Sequence, residues 1–467
     1  MKRRAMFGWG IGSFSSASLV SAVGLLHLRF MTDSLGLSIA LAGALVVVSR
    51  VYDTVLDPIV GVLSDRTRTR YGRYRPYLIG GGLLAALSMI LLFNVPYSLK
   101  GGALVAFVTA TLLLFSTAYT LFRIPYLALG RSITQDFGER SKLMTFSVYG
   151  SSLGSLAAMS AAPYLLSEIG SDRAGHGVIA WILAALIAAG GCATFLLIGA
   201  EPMPAADAPK VPHASVKETL RALKENRPFQ CLIGFKVTMF TGLSVHATAI
   251  PYYTRHVLGV SDASLSGLFL SQTVMMMLSQ VMWVRLAGRF GRRNALLAAG
   301  MLEIGTMAFW FLLPAGQPTP WLQIAGGLNG IGGGGLFFGL YTVLTDAMDF
   351  TRRTSGEGRE GILAGVFVMV EKATTALGTF VFSLILGWAG FVSAQDSGST
   401  VQPENVKTGI VLAISLIPSV CALVACLFLT RMKLDDAPGS GSRAGPIVTD
   451  DLAKDDLMTG DLAHASA

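Results

Sequence analysis

Long apolar runs recur from one end of this chain to the other, and each is close to the length that crosses a bilayer. About twelve can be drawn, over residues 5–31, 38–63, 76–97, 102–130, 141–168, 176–200, 229–254, 262–286, 293–314, 320–348, 360–392 and 407–430. A spanning helix needs roughly 20 apolar residues. Hydrophobic residues make up 52% of the chain and charged ones only 14%, which excludes a water-soluble domain of this length. In lipid every backbone polar group must be satisfied internally, so uninterrupted apolar runs read as helices. The expectation is an all-α membrane protein with twelve transmembrane helices. The 53 glycines suit close helix packing in a membrane.

The net charge of +8 invites a nucleic-acid reading, and its placement argues against one. Lys2, Arg3 and Arg4 precede the first span. Arg66, Arg68, Arg70, Arg73 and Arg75 fill the second connection; Arg285, Arg289, Arg292 and Arg293 lie at the eighth. Alternate connections carry the basic residues, and the rest carry few. By the positive-inside rule both termini then lie in the cytoplasm of an inner-membrane protein. The first apolar run is too long for a cleavable signal peptide and leads directly into further spans. Cys192, Cys231, Cys421 and Cys426 lie in or beside spans without metal-ligand spacing and read as small buried residues.

A Pro- and Ala-rich connection divides the chain. The expected organisation is a six-helix half at 1–200, a cytoplasmic connection at 201–228 with an amphipathic helix near 215–223, a second six-helix half at 229–431, and a disordered cytoplasmic tail at 432–467. The halves echo each other. Gly61 to Arg68 after the second span and Arg285 to Arg293 after the eighth both join a small-residue turn to a basic cluster. Two six-helix halves related by a parallel repeat are the major facilitator architecture. The run Gly330 to Gly335 lies inside a span, with no Lys-Ser/Thr after it, so it reads as close packing or a hinge.

Few charges remain inside the spans, and such residues mark pathways and ion sites. Asp53 and Asp57, at (i, i+4), share one helix face. Two carboxylates there need a bound cation, a proton or a base. The readings left open are a coupling-ion site or a structural ion pair with Arg50 or across the halves. Lys372 follows Glu371 directly; neighbours on a helix diverge, so Lys372 is expected to reach another helix. No nucleophile–base pair, metal set or nucleotide loop points to an enzyme.

Further stretches carry a resemblance. Asp53-x-x-x-Asp57-Pro58 is followed by Asp65-Arg66-Thr67-Arg68-Thr69-Arg70-Tyr71-Gly72-Arg73. Then come Ile124-Pro125-Tyr126-x-Ala128-Leu129, Asn226-Arg227-Pro228-Phe229, Asp346-Ala347-Met348-Asp349-Phe350, Arg359-Glu360-Gly361 and Glu371-Lys372. In this order they resemble the glycoside–pentoside–hexuronide:cation symporter family, whose best-known member is the melibiose permease. The resemblance implies a twelve-helix major facilitator fold, alternating access, and symport of a glycoside with Na⁺, Li⁺ or H⁺. It implies no other cofactor; a monomer in the lipid bilayer, without a nucleic-acid partner, is expected. The ion ligands it implies are Asp53, Asp57 and Thr120, with Na⁺ as the metal. Substrate contacts are expected from Ser13, Ser16, Tyr119, Arg123, Tyr126, Lys236 and Lys372. A gate or charge network is expected from Arg50, Asp65, Arg140, Asp346, Asp349, Arg352 and Glu371.

The chain departs from the family at the sugar contacts. Arg123 stands where the melibiose permease has a carboxylate, and Ser16, Ala17 and Val148 replace further polar or charged groups. Arginine is effectively always charged. Either it pairs with Asp53 and takes the place of a metal ion, passing coupling to H⁺ or abolishing it, or it turns to the substrate and leaves the Asp pair to Na⁺. Galactoside recognition does not carry over. A uronide suits a cationic Arg123, and an amphiphile such as a lysolipid is the alternative solute. A non-transporting sensor on the same fold is the rival without flux.

Overall fold

The computed structural model describes residues 3–133, 137–170, 172–198, 226–313, 319–355, 360–392 and 402–432. Among them there is no strand. Helical segments that run on through a widened turn form single rods: α1 (Arg3–Ala22), α2 (Ile39–Arg66), α3 (Arg75–Phe93), α4 (Gly101–Ile133), α5 (Phe137–Leu156), α6 (Arg173–Leu197), α7 (Arg227–Tyr252), α8 (Asp262–Phe290), α9 (Arg292–Phe311), α10 (Thr319–Ser355), α11 (Glu360–Trp388) and α12 (Glu404–Val411, resumed at Ile417–Thr430). Nine of the described helices are long and apolar enough to cross a membrane. The expected amphipathic helix near 215–223 and the tail from residue 433 lie outside the described residues.

Helix ends follow caps rather than hydropathy. The sixth rod starts three residues before its apolar run, because Asp172 accepts a hydrogen bond from the Gly175 amide at 2.8 Å. Likewise α7 starts at Arg227, with Asn226 accepting from the Phe229 amide at 2.8 Å and donating to the Ala347 carbonyl. Four rods contain π-turns: Val23–His27 and Phe30–Ser34 after α1, Ala157–Ala161 after α5, Tyr253–Val257 after α7 and Leu412–Leu416 in α12. Such turns insert one residue and re-aim side chains.

The packing repeats six rods on. In the first six, α1 packs on α5 and α6, α2 on α4, and α3 on α4 and α6. In the last six, α7 packs on α11 and α12, α8 on α10, and α9 on α10 and α12. The contacts between the two sets, α2 with α11 and α5 with α8, are related in the same way. Glycine lets rods meet backbone to backbone. A Cβ on Gly150 would fall 2.0 Å from the Gly10 carbonyl oxygen of α1, and one on Gly330 would fall 2.1 Å from that of Gln272 on α8. The glycine run of α10 is therefore a packing surface.

On the face away from the basic loops, charges tie the two sets together. Arg29 donates a fork to Asp262 at 2.7 and 3.2 Å. Asp33 lies 3.5 Å from Arg29 and 3.7 Å from Arg255. Thr32 bonds Tyr252, and Ser160 bonds Ser266. Breaking a buried pair from one side costs about 3–5 kcal/mol. Asp262→Ala is therefore expected to loosen this closure, so that a cysteine placed at buried Ser266 gains reactivity toward an impermeant thiol reagent. Unchanged reactivity would mean that other contacts hold the face shut.

Candidate functional site

The Asp pair forms where three rods meet. In α2 and α4, Pro58 and Pro125 each lack the N–H that would bond the carbonyl four residues earlier, so both rods are weakened beside the site. Asp53 and Asp57 share the α2 face toward α4 and α11. Thr120 of α4, fully buried, lies with its hydroxyl 2.7 Å from Asp53 Oδ1 and 3.2 Å from Asp57 Oδ1. Lys372 of α11 donates to Asp53 Oδ2 at 2.9 Å and also pairs with Asp57 Oδ2. Asp53 is 1% exposed, whereas the Asp57 side chain is 24% exposed and open to exchange. Two carboxylates and one ammonium leave the cluster one negative charge over. One proton or one monovalent cation would neutralise it, and oxygens from Asp53, Asp57 and Thr120 suit a hard cation such as Na⁺.

Glu371 and Lys372 diverge on α11. Glu371 turns to α7 and takes an ion pair from Lys236 at 2.8 Å. Lys236 was expected in the cavity lining; it is fully buried instead, donating to the Phe367 carbonyl at 2.9 Å with its ammonium 3.2 Å from the centre of that ring. Desolvation makes a paired, enclosed ammonium the stable arrangement.

Of the two placements left open for Arg123, the structure has the one turned away from Asp53. It donates to Ser16 Oγ at 3.3 Å, and the cation on the Asp pair is Lys372. Two further expected substrate contacts, Tyr126 and Ser13, are packed away. Tyr126 is fully buried, stacked on Trp9 with centroids 4.1 Å apart, and donates to the Trp9 carbonyl. Ser13 is spent between Tyr126 and Ser147, at 2.6 Å to each. Tyr119 is half-buried and stacks on Phe115. Aromatic area and satisfied hydroxyls make better helix packing than an open platform.

The cavity itself holds about 500 Å³ between the two sets. Its polar lining includes Ser49, Arg50, His246, Gln272, Asn329 and Glu371, with Phe115, Leu243 and Phe337 among the apolar walls. Arg50, expected in a gate, faces this space. His246 is pinned between the Ile414 carbonyl at 2.6 Å and Asn329 Nδ2 at 2.8 Å. The sequence reading passed over His246, Gln272 and Asn329 because it sorted spans by charge. Uncharged amides and histidines inside apolar runs were the available signal.

The other gate residues scatter. Asp346 pairs with Arg292, Asp349 is exposed, and the side chains of Arg140 and Arg352 lie outside those described. Asp65 accepts from the Tyr74 hydroxyl at 2.7 Å in the basic loop; burial, then that carboxylate, push the Tyr74 phenol up to about 12.

Comparison with known proteins agrees with this architecture. The profile described as MFS/sugar transport protein matches residues 8–436. A putative glycoside/cation symporter, YagG, of Escherichia coli K12 is 28% identical over 450 residues, covering 92% of each chain. The isoprimeverose transporter of Lactiplantibacillus pentosus is 27% identical, over 83% of this chain and 80% of its own. The glucuronide carrier protein homolog of Escherichia coli K12 is 24% identical over 93% of each. Among solved structures, the nucleoside transporter NupG superposes with a TM-score of 0.65 at 16% identity, covering 92% of this chain and 99% of its own, which speaks to the fold alone. The chain has the major facilitator fold and belongs to the MFS/sugar transport protein family, a family of transporters and not of enzymes.

Proposed function

We propose that this protein is a cation-coupled symporter that carries a sugar or glycoside inward by alternating access. The observation that carries this reading is the cluster of Asp53, Asp57, Thr120 and Lys372, which bridges α2 and α11 beside the cavity and is one positive charge short. Lys372 competes with the coupling ion for the same oxygens. With no ion, the lysine holds α11 to α2; an arriving ion weakens that hold and frees the interface to move. Differential affinity of the ion for the two arrangements is what links its gradient to the conformational change.

Residues 1–200 and 229–431 act in this reading as the two moving halves. The basic loops face the cytoplasm of an inner-membrane protein, and a single chain suffices for the pathway. Na⁺, Li⁺ and H⁺ all suit the oxygen set, and the turn of Arg123 toward Ser16 leaves room for Na⁺. Arg50 in the cavity favours an anionic sugar such as a uronide, held also by Gln272 and Asn329. Phe115, Leu243 and Phe337 in the wall support an amphiphile as the second reading.

Proteoliposomes given sugars, uronides and lysolipids under separate Na⁺ and H⁺ gradients test the reading by charge movement. Current that needs both a solute and one gradient is expected; the absence of current with every solute of the panel would favour a sensor. Asp53→Asn is expected to cut gradient-driven uptake on the order of tenfold to a hundredfold, matching the ~1.5–3 kcal/mol of hydrogen bonds to a charged group. Lys372→Gln leaves the pair with two uncompensated charges, so uptake should become sigmoidal in cation concentration. A hyperbolic curve would place the ion elsewhere. Arg50→Gln should lose uronide uptake while sparing a neutral glycoside.

A further inference from the structure

Glu303, in the middle of α9, has no structural role that a neutral side chain would not fill better. It is 0% exposed, and neither carboxyl oxygen has a hydrogen-bond partner. It lies against the wall of the central cavity, seated on the glycine run of α10: a Cβ on Gly332 would come 2.6 Å from Oε1, and one on Gly333 3.9 Å. A carboxylate without water or partner is far costlier than the neutral acid.

The groups around it do not neutralise it another way. From α10 it meets glycine. From α12, Cys426 lies against Gly300, a turn away along α9. The wall contributed by α8 brings Phe269, Gln272 and Met276, none of them titratable. The titratable groups elsewhere in the cavity are His27 and Arg50 of the first set, with His246 and Glu371 of the second. His246 is held by Ile414 and Asn329, and Glu371 by Lys236.

We infer that Glu303 is a proton-binding site separate from the Asp53–Asp57 cluster, loaded while the far face is closed and emptied into the cavity when the far face opens. Only the glycine run of α10 stands between the carboxyl and the cavity, so water entering as the two sets part reaches it. Its O–H bond then breaks, the proton passes to a cavity water, and the electron pair stays on the carboxylate. The inference rests on the transport reading only in requiring that the protein cycles between two arrangements.

The test is infrared spectroscopy of the purified full chain in lipid vesicles, read at the carbonyl stretch of protonated carboxyls. The probe is bulk pH alone, with no solute and no metal. At neutral pH the wild type should show a protonated-carboxyl component that Glu303→Gln lacks, read as the difference between the two spectra so that any proton on the Asp53–Asp57 pair cancels. In Asp262→Ala, which loosens the far face, this component should be lost at neutral pH and return on acidification. Arg29→Gln, which removes the other half of that ion pair, serves the same arm if Asp262→Ala does not assemble. A spectrum unchanged between wild type and Glu303→Gln, or a difference component indifferent to opening the far face, would each overturn the inference. Because the difference between wild type and Glu303→Gln reports this one carboxyl, its failure leaves the Asp53–Asp57 reading standing, and failure of uptake in Asp53→Asn leaves this one standing.

Discussion

The ammonium of Lys372, set between the carboxylates of Asp53 and Asp57, links two rods from opposite sets at a depth where an unpaired charge is costly. None of the three side chains is tolerable there alone. Together they hold α2 against α11, and the close approach of Gly43 to Ser383 on the same interface shows how tightly those rods pack. Because two acids face one base, the balance is incomplete by design of charge count alone. The cavity, the cluster and the interface that must move share neighbouring residues, Arg50 before Asp53 and Glu371 before Lys372.

The rest of the architecture serves that junction. Contacts that recur six rods later give the second set nearly the same internal packing as the first, so each can act as a unit. Backbone-to-backbone glycine contacts hold rods inside a set without interlocking side chains. On the far face the contact is of another kind, made of forked ion pairs and hydroxyls, which form or break as units. Close apolar packing within sets and polar contacts between them is the division of labour that rigid-body rocking requires.

Much of this was legible in the sequence. Hydropathy placed the rods, and the shared face of Asp53 and Asp57 followed from their spacing. The reach of Lys372 away from Glu371 followed from helix geometry. What was not legible depended on partners remote in sequence. Arg29 and Asp262 are 233 positions apart, and each looked like an ordinary charge near a span end. Arg123 could pair with Asp53 or turn to the substrate, and only packing decided that it turns away from Asp53, onto Ser16. Tyr126 and Lys236 looked like cavity residues because polar tips in a span suggest function, yet Trp9, Phe367 and Glu371 supplied enough contact to bury them. Helix starts moved because Asp172 and Asn226 cap, which a hydropathy window does not weigh.

The adjacency of Glu371 and Lys372 has a mechanical side. Consecutive residues on a helix point about 100° apart, so α11 grips α7 with one side chain and α2 with the next. A roll of α11 about its own axis cannot relax one grip without twisting the other. The rod therefore behaves like a torsion bar clamped at a single level: torque delivered at Asp57 by an arriving ion is felt at Lys236 inside the second set. A translation of α11 along its axis displaces both clamps in one direction, whereas a roll displaces them along directions about 100° apart.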